Sequence, residues 1–138
     1  SSVRVTAAAL NACDVDVSQT PDLLPILTVL AANAEGKTVL YNAANLRHKE
    51  SDRLASAAAM INSLGGKAVE FADRLEIYGT KLTGGTVDSF GDHRIAMSAA
   101  IAASMCKEQT TIIGSEAVKK SYPEFFKDYC ALGGLINT

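Results

Sequence analysis

Cysteine, histidine and charge are all scarce in this chain. Its 138 residues include three cysteines and two histidines, and only 20% are charged. Cys13, Cys106 and Cys130 are odd in number and match no metal or redox spacing. Reduced and mostly packed thiols are therefore expected, as in an intracellular protein. His48 and His93, without clustered cysteines, do not amount to a zinc site. The ten glycines form no GxGxxG or GxxxxGK[ST] pattern, which leaves dinucleotide and nucleoside-triphosphate folds without support. Asn, Glu and Gly interrupt the apolar runs well short of a membrane span. No signal-peptide pattern follows Ser1, so a cytoplasmic location is expected, and the start without Met is expected to reflect processing or an artificial boundary. A net charge of −2 argues against the large basic field that nucleic acid requires. A small anion needs only a local cluster of cations.

What is present is a globular pattern, with 48% hydrophobic residues. Residues 3–9 and 13–17 read as short strands, or as a strand and a turn, with Cys13, Val15 and Val17 on one face. A helix starts near Pro21 with an apolar stripe of Leu23, Leu27 and Leu30, and Gly36 ends it. "KTVLYNA" reads as a strand. The clearest helix runs from about Glu50 to Leu64, where Leu54, Ala57, Ala58, Ile61 and Leu64 share one side. "KAVEF" and "RLEIYG" read as a hairpin, and "GGTVDS" is a further strand. A helix begins near Gly91, "QTTIIGS" is a strand, and a last helix spans "YPEFFKDYCALGG". The order is β-α-β-α-β-β and then β-α-β-α, an α/β (α+β) pattern with at least one antiparallel pair. The second block repeats the first four elements of the first and stops two strands short.

Charge concentrates where helices start. Six of the seven positions from Arg47 to Arg53 are ionisable. "TPD" at 20–22, "GDHR" at 91–94 and "VKKSYP" at 118–123 have the same form. Helix starts offer free N–H donors and a partial positive field, so added Lys or Arg there suits phosphate or carboxylate. Arg53 and Arg94 stand where the helix field prefers an acid, which calls for an anion close by. Ion pairs are the competing explanation: Arg53 with Glu50, and Arg94 with Asp92 or an acid across the sheet edge. Lys120 reads equally as a solvated charge. Asp22 and Glu50 are either helix-end acids or proton-transfer groups, and His93 belongs to the residue type that exchanges protons near neutrality.

"NLRHKESDRL" at 45–54, "FGDHRIAMSAAIAA" at 90–103, "VKKSYPEFF" at 118–126 and "DVDVSQTPDLLP" at 14–25 resemble the C-terminal part of the 5-enolpyruvylshikimate-3-phosphate synthase family. The resemblance covers essentially the whole chain. It implies repeated β-α-β-α-β-β units of the enolpyruvyl transferase inverse-barrel type, with one full unit at about 3–79 and an incomplete one at about 84–134. Residues 1–138 would then be a partial C-terminal domain of a chain roughly three times as long. The implied reaction moves the enolpyruvyl group of phosphoenolpyruvate to the 5-hydroxyl of shikimate 3-phosphate, on the route to aromatic amino acids, without metal or organic cofactor. Glyphosate competes for the phosphoenolpyruvate site in this family.

The resemblance also implies roles. Asp22 accepts the proton of the attacking hydroxyl. Asn45 and Lys49, with Asp22, lie near shikimate 3-phosphate. Glu50 exchanges protons at the methylene carbon. Arg53, Arg94 and Lys120 hold phosphoenolpyruvate, Lys120 also acting toward the leaving phosphate, and His93 adjoins them. The partner implied is the missing N-terminal portion, in cis or as a separate chain, and neither nucleic acid nor membrane is involved. The isolated chain would be inactive. The alternative is a noncatalytic anion-binding or assembly module on the same scaffold.

Overall fold

The computed structural model describes residues 1–137. Among the described residues, six strands and four α-helices follow one another: β1 (Asp14–Asp16), α1 (Leu24–Ala32), β2 (Lys37–Tyr41), α2 (Arg53–Ser63), β3 (Lys67–Glu70), β4 (Leu75–Tyr78), β5 (Gly85–Asp88), α3 (His93–Ala103), β6 (Thr110–Ile113) and α4 (Phe125–Ala131). Short 3₁₀ helices at Pro21–Leu23, Ala44–His48 and Ser115–Lys120 lie between them.

The first four strands form one mixed sheet in the order β1-β2-β4-β3. β1 and β2 run parallel, joined through α1, while β4 is antiparallel to both β2 and β3. This is a complete β-α-β-α-β-β unit, and β3–β4 is the expected hairpin. β5 and β6 pair in parallel as a second, two-stranded sheet, joined through α3. The inverse-barrel architecture implied by the resemblance is corrected here. Both sheets are open, and neither is closed into a barrel among the described residues. Closure requires every edge strand to find a partner, and six short strands divided between two sheets leave edges on each.

The core lies where α1, α2 and α3 meet the sheets. Leu54, Ala57, Ala58, Ile61 and Leu64 are all buried, as their period predicts. The stripe proposed for α1 is not the buried face. Leu23 and Leu30 are each 47% exposed, and Leu24, Thr28, Val29, Ala31 and Ala32 face inward. This helix is apolar nearly all round, so its sequence does not choose a side. Its position between α2 and α3 does. Thr28 is accommodated because its hydroxyl donates to the Leu24 carbonyl at 2.8 Å.

Residues 3–9 form no strand, and Val3 and Val5 are about nine-tenths exposed. A β-former without a neighbouring strand has nothing to pair with. The thiol expectation is also corrected. All three cysteines are unpaired, but Cys13 and Cys130 are exposed and only Cys106 is partly packed. Cys13 precedes an edge strand and Cys130 lies on α4, a helix that buries no residue fully.

Candidate active site

The starts of α2 and α3 converge. Asp52 caps α2, its Oδ1 accepting from the Ala55 N–H at 3.1 Å. Asp92 caps α3, its Oδ1 accepting from the Arg94 N–H at 2.9 Å. A carboxylate at this position satisfies a free donor and complements the helix field. Glu50 lies ahead of the cap rather than in the first turn. Of the four helix starts read from the sequence, "TPD" opens as a 3₁₀ turn, Pro21–Leu23, that runs directly into α1 with Asp22 as its acid, and only the last is displaced: Lys120 ends the Ser115–Lys120 turn instead of opening α4. From there its Nζ donates to the Gly91 carbonyl, just before the α3 cap, at 2.8 Å.

Arg53 is the centre of the cluster. Its side chain is 1% exposed, yet each part of the guanidinium reaches a different acid. Nε donates to Asp92 Oδ2 at 3.0 Å, one Nη to Asp22 Oδ1 at 2.7 Å and the other to Glu50 Oε2 at 2.6 Å. Arg94 donates to the second oxygen of Asp22 at 2.9 Å. Ser51 donates to Asp92 Oδ2 at 3.0 Å. Both competing ion pairs therefore form, although the acid for Arg94 comes from the turn before α1 and not from Asp92.

The charges explain themselves through this network. The Arg53 hydrogen bond holds Asp22 below the usual carboxylate range against a smaller burial effect, with Arg94 and Lys49 adding to the lowering. Burial alone would raise Asp92, but the Arg53 hydrogen bond and the Arg94 N–H outweigh it and keep it low. Burial opposes the Arg53 charge, and its bonds to Asp22 and Asp92 raise it above the ordinary arginine value. A carboxylate with a lowered folded-state value stabilises the fold above the unfolded-state value and loses that contribution as pH falls through the folded one. Thermal stability should thus hold from neutral pH to the carboxylate range, about 4, and fall below it. Asp92→Asn should flatten that acid limb in a series of melting curves between neutral and acid pH. An unchanged acid limb in the variant would remove Asp92 from the account.

Seven of the eight residues singled out from the sequence lie in or beside this cluster. Asp22, Glu50, Arg53 and Arg94 are directly connected. Lys49 is close enough to act on Asp22, Lys120 binds the turn before α3, and His93 is buried at the first position of α3 with no partner for Nδ1 among the described residues. Asn45 projects from the Ala44–His48 turn, exposed and outside the hydrogen-bonded network. Sequence reasoning took Asp92 only as a possible partner for Arg94. Its N-cap position was the available signal, but its bond to Arg53 spans 39 residues and has no sequence period.

Two backbone features accompany the charged segments. Asn42 and Phe90 take left-handed φ values of 59° and 51°, shortly before 44–52 and 91–94. An exposed phenylalanine in that region is unusual. Such positions concentrate at functional sites. Gly91, at φ 68°, follows Phe90 and turns the chain into the Asp92 cap. Among the described residues, no group of three or more His, Cys, Asp or Glu is arranged to hold a metal ion, and no helix is long and apolar enough to cross a membrane.

The arrangement is suited to an oxyanion beside a carboxylate base, and comparison with known proteins points the same way. A family profile described as EPSP synthase (3-phosphoshikimate 1-carboxyvinyltransferase) matches residues 1–129. The 3-phosphoshikimate 1-carboxyvinyltransferase of Clostridium acetobutylicum is 56% identical over 121 residues, covering 87% of this chain and 28% of that protein. The Clostridium kluyveri protein of the same name is 46% identical over 136 residues, covering 98% and 32%. A solved EPSP synthase from Acinetobacter baumannii superposes with a TM-score of 0.86 at 34% identity, over 94% of this chain and 32% of that one. The chain thus spans about a third of the length of the proteins it matches.

Proposed function

This chain belongs to the EPSP synthase family, and on that premise we propose that it is the C-terminal portion of an enzyme transferring the enolpyruvyl group of phosphoenolpyruvate to the 5-hydroxyl of shikimate 3-phosphate. In this reading residues 1–138 are a partial domain, with a full unit inside about 3–79, whose strands run from β1 to β4, and an incomplete one at about 84–134. The observation that carries the reading is Asp22, whose carboxylate bridges Arg53 and Arg94 while remaining half exposed.

Two anionic substrates must be brought together before a proton can move. Cations offset their repulsion, and positioning does the rest. Arg53, Arg94 and Lys120 hold the phosphoenolpyruvate phosphate and carboxylate. Asn45 and Lys49 face shikimate 3-phosphate. When substrate anions displace it from Arg53 and Arg94, Asp22 loses the contacts that depress its basicity and accepts the 5-hydroxyl proton. Glu50 handles the proton at the methylene carbon, Lys120 assists the departing phosphate, and His93 lines the same wall. No metal or organic cofactor enters this reading. A purely binding module is less well supported, because Asp22 and Glu50 on its arginines would only compete with the ligand.

The same reading needs the missing N-terminal portion. In the full unit, β2 has a neighbour on each side, β1 and β4. Its counterpart β6 pairs only with β5 among the described residues, and the Thr110 hydroxyl on β6 is buried without a partner. A groove of about 830 Å³ runs beside β6, bordered by Ser104, Phe126 and Tyr129. An antiparallel strand from the missing portion suits that edge.

The test is complementation. This chain alone should release no phosphate from phosphoenolpyruvate and shikimate 3-phosphate. Combined with the missing portion, it should. A demonstrably reassembled complex that stays silent would sink the proposal, and turnover by the chain alone would refute its dependence on a partner.

A further inference from the structure

We infer that Arg47 is a positioning residue that sets the substrate-facing segment 44–52 by clasping it to the β3–β4 hairpin; this rests on the function proposed above. Glu50 and Ser51, at the end of the segment, are tied to Arg53 and Asp92, but the turn before them has little else to hold it in place. Only Leu46 is fully buried between residues 44 and 52, while Asn45, Lys49 and Glu50 project outward. Regular helix begins only at Arg53. A 3₁₀ turn of this length has weak internal hydrogen bonding, so its geometry depends on what it is tied to.

Arg47 supplies the tie with every nitrogen of its guanidinium. Nε donates to the Ala72 carbonyl at 3.0 Å and one Nη to the Phe71 carbonyl at 2.6 Å. The other Nη donates to Glu70 Oε1 at 2.7 Å and Asp52 Oδ2 at 2.8 Å. Three of these four partners lie on the hairpin, 23 to 25 residues along the chain. The fourth is the acid that caps α2, so the clasp joins the hairpin, the segment and the helix start. The Ala43 N–H adds a backbone bond to the Asp73 carbonyl at 2.8 Å. Planar forked donors suit this task, and an ammonium cannot occupy all four directions.

The consequence is selective. Arg53 is held independently, by burial and by Asp92. Loss of the clasp therefore loosens Asn45 and Lys49, which have no other tie, more than Glu50, which Arg53 holds, and leaves the arginine pair in place. Substrate contacts on the segment should suffer, and contacts on the arginines should not.

The experiment uses the full-length enzyme formed by joining this chain to the portion it lacks. Arg47→Ala should raise the KM for shikimate 3-phosphate about tenfold or more and lower kcat, with the KM for phosphoenolpyruvate within about twofold. Arg47→Lys should share the defect. Added ethylguanidinium should restore part of the Arg47→Ala activity and none of the Arg47→Lys activity, because only the alanine leaves room. Hydrogen exchange gives a readout free of catalysis: amides at 43–52 should exchange faster in the variant, and those inside α2 should not. If Arg47→Ala fails to fold, Glu70→Gln, which weakens one arm of the clasp, should show the same pattern in smaller measure. Equal rises in both KM values, or unchanged exchange at 43–52, would overturn the inference. A wild-type enzyme without enolpyruvyl transfer would instead defeat the proposed function, and the exchange result would still decide the role of Arg47.

Discussion

Arg53→Met is expected to destabilise the fold by about 3–5 kcal/mol, the usual cost of leaving a buried charge without its partner. The effect is expected to come mainly from one of the three acids. Asp22 and Glu50 have side chains 51% and 41% exposed, so they can turn to water when the guanidinium is lost. Asp92 is 0% exposed and cannot. Its Oδ2 would keep only the Ser51 hydroxyl, and burial would drive it to take up a proton. Arg53→Met combined with Asp92→Asn should therefore recover much of the loss, since the uncompensated charge is gone. Urea unfolding followed by circular dichroism measures both. A single variant that loses less than about 1 kcal/mol, at the level of an exposed pair, would mean that Asp92 is not held by Arg53. Binding of phosphoenolpyruvate by the reassembled enzyme should disappear in the same variant.

Asp22→Asn should separate binding from chemistry. The residue is half exposed, so the fold should tolerate the change. In the reassembled enzyme, turnover should fall by about 10²–10⁴, the range for loss of a positioned general base. Binding of phosphoenolpyruvate should be retained or tightened. Asp22 now occupies Arg53 at 2.7 Å and Arg94 at 2.9 Å, and a neutral amide competes less for both. Phosphate release reports the first quantity and calorimetric titration the second. Turnover within a few-fold of wild type would remove Asp22 from the proton-transfer step. Weakened binding would show that Asp22 supports the anion site instead of competing for it.

Much of the scaffold was legible in the sequence because it depends on spacing. The α2 period named its buried residues. Two short apolar strands, "KAVEF" and "RLEIYG", gave the hairpin. The Arg53–Glu50 pair follows from an i,i+3 separation on one chain segment. Reading α1 failed for the converse reason. A helix apolar nearly all round carries no signal of orientation, so Leu23 and Leu30 were misplaced to the inside. Residues 3–9 had strand-forming composition but no edge to join.

The sequence by itself determined the order of the elements, the buried face of α2, and the motifs that place this chain among its relatives. Each depends on neighbours a few positions away. Only the tertiary structure decided that the sheets stay open, that Asp22 reaches Arg94 across 72 residues, and that Asp92 rather than solvent neutralises Arg53. Those contacts arise from how whole elements pack, and a buried guanidinium takes whichever carboxylates that packing delivers to it.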